Sequence, residues 1–258
     1  MRQRPGSVCR SAGCLVGIAF AEAFLVALSA QCQSKPGSLL PSCPPTDQHA
    51  ALTASSPTSN SDSEPEQANA AISAASTVIQ EVRRTSFPDL VHIDLRVRSF
   101  RSQSDYFRTR FSLPRFLLLV RMRYFVDVNP GLFQEQAPSD GVCAILAHEL
   151  VHVVSLSRGN RIRRFGLVRL LSEWQTAKFE RRTDLEAIRR GYGDGLRSYR
   201  IWVYTHTPPH KLPEKRRNYF SPEEIGAIRV LLEKRPELFG YWNAHIPMSL
   251  QEIQNARR

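Results

Sequence analysis

One stretch of the sequence decides how this chain folds: residues 139–154 read SDGVCAILAHELVHVV. The stretch contains no proline, and the serine and aspartate at its start can each cap a helix. Its apolar residues surround three polar ones, so we predict a single buried helix. In such a helix His148 and His152 are four residues apart, and both imidazoles project from the same face about one turn apart.

The three polar residues of this helix have the spacing of a zinc site. Two imidazoles on adjacent turns can each place a ring nitrogen about 2 Å from one zinc ion. Glu149 follows His148 and points to where a metal-bound water would sit. Every other residue from Ile145 to Val154 is apolar, and two histidines and a glutamate without partners there would cost several kcal/mol. The pattern therefore predicts a metal site rather than buried structural histidines.

A zinc enzyme needs a third protein ligand and an open fourth position. Glu180 is the predicted third ligand, because it follows His152 in a segment whose apolar residues have helical spacing. Asp184 lies one turn further on the same face and can accept the ring N–H of a ligand histidine, which fixes the tautomer. A solvated face of paired glutamates and arginines is the other interpretation of this segment. The rival third ligands are His206, His210 and Glu173.

The HExxH pattern at residues 148–152, followed by Glu180-x-x-x-Asp184 and Ala187, resembles the gluzincin zinc metallopeptidases. The resemblance is to the group that includes the CAAX prenyl protease and the HtpX-like proteases. It covers roughly residues 88–190 and is confined to motifs. This chain lacks the several membrane spans of the integral-membrane members, so it is more similar to soluble exported or lipoprotein-type members. On this ground we expect a zincin-like fold.

The resemblance implies a zinc metallopeptidase, a hydrolase that acts on peptide bonds in a peptide or protein substrate. It implies one Zn²⁺ per chain held by His148, His152 and Glu180, with Glu149 as general base and Asp184 as support for a ligand histidine. A hydrogen-bond donor for the transition state is also expected. His206 is the preferred candidate for that donor, and the others are Tyr192, Tyr199, Tyr204 and His210.

Hydrophobic periodicity predicts an α+β domain with a short β-sheet before the metal-binding helix and a mostly helical C-terminal half. Residues 64–84 have helical spacing, and residues 91–98 alternate as a strand does. A second strand is predicted within residues 116–128, and we expect it to accept an extended peptide substrate as an added strand. Gly191 is expected to end the helix that carries Glu180.

The N-terminus, residues 1–30, is predicted to be a signal peptide or an N-terminal anchor. Three arginines precede an apolar stretch from Cys14 to Ala30, which is typical of such segments. Cys32 resembles a lipidation site, but Gln31 before it departs from the small residue that is usual there. We expect an exported protein of the cell envelope or periplasm, with the N-terminus or a lipidated Cys32 as the means of any membrane anchoring.

Residues 31–63 are rich in Ser, Pro and Ala and lack apolar periodicity, so we predict a disordered tether there and a metallopeptidase domain over residues 64–258. The 42% of hydrophobic residues excludes a wholly disordered or collagen-like chain. Five cysteines are too few for a disulfide-stapled scaffold. Cys32 and Cys43 can pair in an oxidising compartment, and Cys143 is predicted to pack as a small hydrophobe.

The formal net charge of +11 leaves a second class of function open, a basic binding protein. Clusters of basic residues can attract an anionic membrane surface or nucleic acid. No nucleic-acid motif accompanies them, so we expect the membrane surface and not nucleic acid as a partner. A third hypothesis is a non-catalytic zinc-containing scaffold of the cell envelope. The clusters comprise Arg161, Arg163, Arg164, Arg181, Arg182, Arg189, Arg190, Lys215, Arg216 and Arg217.

Overall fold

A computed structural model of the chain describes residues 63–158 and 172–256. The predicted signal peptide or anchor, Cys32, Cys43, nearly all of the predicted tether and the arginines at 161–164 lie outside the described residues. The described residues form a mostly helical α+β fold with one three-stranded sheet ahead of the helix that contains the HExxH pattern. At that level the predicted fold class is confirmed.

The described residues form ten α-helices and three β-strands. They are α1 (Ser63–Ser86), β1 (Asp94–Ser99), β2 (Phe107–Phe111), α2 (Leu113–Leu117), β3 (Arg123–Val128), α3 (Gly131–Gln134), α4 (Ser139–Arg158), α5 (Glu173–Ala187), α6 (Gly193–His206), α7 (Leu212–Asn218), α8 (Pro222–Lys234), α9 (Leu238–Ala244) and α10 (Leu250–Asn255). A 3-10 turn, Pro88–Leu90, follows α1, and a π-helical turn, Ile188–Tyr192, joins α5 to α6.

The first helix, α1, is the predicted amphipathic helix and lines one side of the core. Its apolar stripe is buried over Ala71, Ala75, Val78, Ile79 and Val82. Arg83, in its last turn, donates hydrogen bonds to the carbonyl oxygens of Leu90 and Ile93. These two contacts attach the end of α1 to the chain that enters β1.

The sheet has the strand order β1-β3-β2, with β1 parallel and β2 antiparallel to β3. Tyr124, Val126 and Val128 on β3 form its inner face and are at most 2% exposed, as the alternation in the sequence predicts. The strand is shorter than the predicted span. Part of that span forms α2, whose first turn contains Pro114, a residue that suits the start of a helix.

The prediction that the strand within residues 116–128 accepts an added peptide is wrong, because β3 is the central strand and is paired on both sides. The strand at the sheet edge beside α4 is β2, which we did not predict from the sequence. Its residues, FRTRF, do alternate with period two. Five residues with two arginines are too short and too polar a signal to separate from a loop.

The predicted buried helix forms as α4 and continues to Arg158, with every residue from Gly141 to Val154 buried. Among the described residues it is the one helix long and apolar enough to cross a membrane by length and composition. However, 78% of its most apolar window is buried inside the fold, so packing accounts for its apolar character. Cys143 is buried as predicted, but it is disulfide-bonded rather than a free thiol.

The helix that carries Glu180, α5, begins after Ser172, whose side chain accepts a hydrogen bond from the backbone N–H of Gln175. Gly191 was expected to end this helix, and that expectation is wrong in one respect. Gly191 has φ 93° inside the π-helical turn, and the chain continues directly into α6. A residue without Cβ adopts this backbone at little cost, so the chain bends there without a loop.

Helices α4 and α6 approach each other closely at two glycines. A Cβ on Gly195 would lie 2.3 Å from the carbonyl oxygen of Asp140 and 2.9 Å from the Cβ of Ala144. A Cβ on Gly141 would lie 3.1 Å from the backbone nitrogen of Tyr199. The missing side chains therefore let α6 lie directly against the start of α4.

We expect Gly195→Ala to lower the free energy of unfolding by about 1–3 kcal/mol, because the added methyl group meets backbone atoms of α4. Gly240→Ala is the matched control, since a Cβ on this helical glycine meets nothing within 4 Å. The control should raise stability by about 0.5–1 kcal/mol. Thermal unfolding of both variants measures the difference. A Gly195→Ala protein as stable as the wild type would contradict the close contact.

Candidate metal centre

Side chains of His148, His152 and Glu180 meet between α4 and α5. The two Nε2 atoms are 3.1 Å apart, and the Oε2 atom of Glu180 lies 3.3 Å from Nε2 of His148 and 3.2 Å from Nε2 of His152. Within residues 63–158 and 172–256, this is the one group of three or more His, Cys, Asp or Glu side chains placed to hold a metal ion.

The size of this triangle fits a zinc ion. Zinc–ligand bonds of about 2.0–2.1 Å at tetrahedral angles separate the ligand atoms by about 3.3–3.4 Å. The three observed separations are within a few tenths of an ångström of that value. Two imidazole nitrogens and one carboxylate oxygen are also a donor set that zinc prefers. The residues present therefore fit the predicted ion.

Asp184 holds the far side of the His148 ring. Its Oδ1 atom is 2.8 Å from Nδ1 of His148. The same carboxylate accepts hydrogen bonds from Nη2 of Arg200 at 3.1 Å and from the backbone N–H of Phe220 at 3.1 Å. These partners compensate a fully buried charge that would otherwise be strongly destabilising. Because Nδ1 faces Asp184, Nε2 is the atom of His148 that faces His152 and Glu180.

The contact between His148 and Asp184 is short, but the ring N–H is not aligned with the carboxylate as a well-formed hydrogen bond requires. The contact between Nδ1 of His148 and Oδ1 of Asp184 is therefore electrostatic, without a well-formed hydrogen bond. Burial alone lowers the pKa of His148, but the carboxylates of Asp184 and Glu180 outweigh burial and raise the pKa to about 10. The two carboxylates thus favour a positive charge at this position, whether it is a proton on His148 or a bound cation.

His152 is held by Thr183 and Phe179, two residues of α5. The Thr183 hydroxyl donates to the carbonyl oxygen of Phe179 at 3.0 Å, so its lone pairs remain available to Nδ1–H of His152 at 3.5 Å. The Phe179 ring stacks on the His152 ring with centroids 5.1 Å apart. Both contacts turn Nε2 of His152 towards Glu180. We did not predict Thr183, although it directly precedes Asp184 in the sequence.

Glu149, the predicted general base, is buried and is held by the edge strand. The Thr109 hydroxyl on β2 lies 2.7 Å from Oε2 of Glu149 and 3.1 Å from its backbone carbonyl oxygen. Sequence analysis could not identify Thr109, because the contact joins residues 40 positions apart. The carboxylate is therefore fixed beside His148 by a residue of the sheet.

A cavity of about 40 Å³ contains this part of the centre, and its walls include His148, Glu149, Tyr199, Arg200 and Tyr219. It is large enough for ordered water. A larger depression of about 510 Å³ lies beside β1, but it is shallow and open, and no residue of the candidate metal centre lines it. The smaller cavity is thus the candidate reaction site.

Tyr219, which the sequence did not suggest, lies over this cavity. Its ring centroid is 6.0 Å from that of His148, and the guanidinium of Arg200 lies 4.1 Å above its ring. Burial raises the pKa of Tyr219 well above its ordinary value, and the carboxylates of Glu180, Glu149 and Asp184 add to that effect. The phenol is therefore protonated at neutral pH and can donate a hydrogen bond.

The predicted transition-state donors lie in different places. His206, the preferred one, is exposed at the end of α6, where its ring stacks on Trp202 and its Nδ1 lies 2.8 Å from the carbonyl oxygen of Trp202. It does not line the cavity that holds His148 and Glu149. Tyr192 instead contacts Ser86 through its hydroxyl. Of the predicted set, Tyr199 lines the cavity.

The rival third ligands are not part of the cluster. Glu173 is exposed and forms an ion pair with Arg217 at 2.8 Å, and His210 is exposed in the turn before α7. With His206 on the far end of α6, Glu180 is the predicted ligand that the structure brings to the two histidines. The spacing along one helical face that predicted Glu180 and Asp184 together is also observed.

No protein-family model, curated protein or solved structure matches this chain. The interpretation of the centre therefore depends on its residues. They provide three ligand atoms at zinc spacing, a carboxylate held beside them by Thr109, and a protonated tyrosine over the same cavity.

We expect Glu180→Ala to weaken zinc binding by about 100-fold or more, beyond the 10- to 100-fold typical when only a hydrogen-bond partner of a ligand is lost. Glu173→Ala, an exposed glutamate on the same helix, is the matched control and should keep one zinc per chain. Competition with a chromogenic chelator measures the affinity, and circular dichroism verifies folding. Equal zinc affinity in the two variants would contradict the role of Glu180.

Proposed function

We propose that this protein is a zinc-dependent metalloendopeptidase with a gluzincin-like active site and a zincin-like arrangement of its elements. The observation that carries the proposal is that Glu149 and a ligand of the candidate zinc site, His148, line the same small cavity. Zinc sites that only stabilise a fold usually have four protein ligands. Here the described residues supply three, which leaves one position for water or substrate.

His148, His152 and Glu180 would hold the ion. When bound, zinc acts as a Lewis acid that lowers the pKa of water and polarises the carbonyl of the substrate. Glu149 then has the position of a general base, which takes a proton from water and later donates it to the leaving amine. Thr109 keeps the Glu149 carboxylate directed at the cavity through its 2.7 Å hydrogen bond.

The edge strand β2 supports a peptide as the substrate. Phe107, Thr109 and Phe111 alternate with the residues of β2 whose backbone groups form hydrogen bonds with β3, so their own backbone groups face the outer edge of the sheet. Within the described residues no strand pairs with that edge. An extended peptide that adds to β2 would pass Thr109, and Thr109 contacts Glu149. The peptide bond would therefore run beside the general base.

Tyr219 is the side chain best suited to stabilise negative charge on the carbonyl oxygen of the substrate. It is protonated, half-buried and close to His148. The guanidinium of Arg200 lies over its ring and is held in that position by Asp184. A donor held in this way before the reaction needs little rearrangement as charge develops.

The alternative of a basic binding protein receives less support from the predicted clusters. Arg181 is buried and bonded to Glu224, Arg189 and Arg190 pair with Glu186, and Lys215 pairs with Asp105. These cations are engaged inside the protein. A purely structural zinc scaffold would not require a buried glutamate held at the cavity by Thr109, so that alternative leaves Glu149 unexplained. Export to the cell envelope remains a prediction.

We expect Glu149→Gln to bind zinc as the wild type does and to cleave peptides about 100- to 10,000-fold more slowly, because the amide cannot accept the proton. The measurement is cleavage of a pool of fluorogenic peptides by zinc-loaded protein, with zinc content determined on the same sample. Glu173→Gln is the control and should retain full activity.

Two results would contradict the proposal. Undiminished cleavage by Glu149→Gln would exclude this residue as the base. A zinc-loaded wild type that cleaves none of the peptides in the pool or denatured protein would favour the scaffold hypothesis. Loss of activity on removal of zinc by a chelator, with recovery when zinc is returned, separates this enzyme from a contaminating serine peptidase.

We also expect Tyr219→Phe to lower kcat by roughly 100-fold with little change in KM or zinc content, since its donor acts on charge that develops in the transition state. Tyr204→Phe is the control, because the Tyr204 hydroxyl is outside the cavity lining and has no hydrogen-bond partner among the described residues. Steady-state kinetics on the best peptide measures both. Equal kcat values in the two variants would contradict a donor role for Tyr219.

A further inference from the structure

The connection between β2 and β3 presents an apolar tip to solvent. Leu117, Leu118 and Leu119 are 65%, 72% and 74% exposed, and Leu113 and Val120 beside them are about half exposed. Most leucines elsewhere in the described fold are buried or packed against the core. A contiguous group of exposed leucines is unusual on a protein surface and marks an interaction site.

The backbone holds this tip in a defined shape. The N–H of Leu118 donates to the carbonyl oxygen of Pro114 at 2.9 Å, and Arg115 donates to the carbonyl oxygen of Arg121 at 3.2 Å. Leu119 has φ 56°, a left-handed conformation that costs energy for a residue with a Cβ. Residues in such strained conformations occur more often in functional segments than elsewhere.

The segment that forms the tip contains charges of one sign. Between Asp105 and Asp127 the sequence contains no acidic residue, whereas it contains Arg108, Arg110, Arg115, Arg121 and Arg123. In the sheet, Arg110 and Arg123 lie on the outer face at the end from which the tip extends, but each is paired there, with Asp127 at 3.6 Å and with Asp94 at 2.7 Å. The arginines beside the leucines that form no ion pair with a described carboxylate are Arg115 and Arg121. Arg121 is exposed directly after the apolar segment. The leucines are therefore bordered by cations.

We propose that this apolar tip, residues 113–120 with its bordering arginines, docks on an anionic lipid bilayer. Leucine side chains gain free energy when they enter the acyl boundary, and arginines at the same level gain from anionic headgroups. Nucleic acid would use the arginines but would have no site for a group of leucines. A protein partner would have to combine an apolar pocket with an acidic rim, whereas an anionic bilayer presents both everywhere.

This surface differs from the basic clusters that the sequence suggested, and it does not depend on the metal centre. Its position nevertheless has a consequence for the proposed enzyme. Only three residues separate Thr109, which holds Glu149, from Leu113, and these four steps of extended chain span about 13 Å. A docked tip would hold the end of β2 at the lipid headgroups, so substrates at the membrane surface would be within reach.

A tryptophan placed at the tip tests the proposal in the full chain, because its fluorescence reports membrane contact at the tip even if the N-terminus also binds the membrane. Leu118→Trp is compared with Ile201→Trp, which substitutes an exposed apolar residue of α6. Each variant is added to vesicles of phosphatidylcholine and phosphatidylserine whose acyl chains carry bromine, a contact quencher of tryptophan. The fluorescence of the wild type gives the contribution of the native tryptophans, and the difference from it is the added fluorescence of each variant. Zinc content is measured in parallel and should equal that of the wild type.

We expect bromolipid to quench the added fluorescence of Leu118→Trp and not that of Ile201→Trp. The quenching of Leu118→Trp also gives the affinity of the protein for the vesicles. This affinity should be about 10-fold lower or more for vesicles of phosphatidylcholine alone, because each arginine at the surface contributes about a 5-fold preference for anionic lipid. The additional variant Arg115→Gln should reduce the anionic preference while the probe remains in place.

If bromolipid leaves the added fluorescence of Leu118→Trp unquenched while aqueous iodide still quenches it, the proposal is overturned and a protein partner for the tip is favoured. Equal quenching with and without phosphatidylserine would overturn the requirement for anionic lipid. Failure of the metal or peptidase predictions would not affect either result, since the two regions are read out by different measurements.

Discussion

The buried carboxylate of Asp184 is the group on which the rest of this structure depends. It contacts His148 on α4, Arg200 on α6 and the backbone N–H of Phe220 before α8, while it belongs to α5 itself. Four parts of the chain thus meet at one charge that needs all of its partners to be tolerated inside the protein. The same contacts orient His148 and bring Tyr219, the neighbour of Phe220, over the cavity.

The edge strand β2 connects the two functional regions that we propose. Near its middle, Thr109 fixes the carboxylate of Glu149, and at its end the chain enters the apolar tip. A strand is a stiff connection over this length, so the orientation of the tip on a membrane would also set the orientation of the cavity. A polar contact with Glu149 holds the middle of β2, whereas exposed leucines and arginines follow its C-terminal end.

The sequence predicted the long elements well because their apolar periodicity extends over several turns. The first helix, the buried helix α4 and the inner face of β3 all occur as expected. The errors lie where local signals are short. Five residues of β2 resemble a loop, and Gly191 is equally suited to end a helix or to bend it. Which strand becomes central depends on pairing between distant segments, which no local pattern specifies.

The sequence by itself determined which side chains share a face of a helix and so lie close together. His148 and His152 share a face of one helix, and Glu180 and Asp184 share a face of another, because residues four apart lie one turn apart. Only the tertiary structure decided which partners meet them. Thr109 and Tyr219 reach the centre through contacts between segments that are far apart in the chain. Such contacts depend on packing and on buried charge, and neither produces a periodic pattern in the sequence.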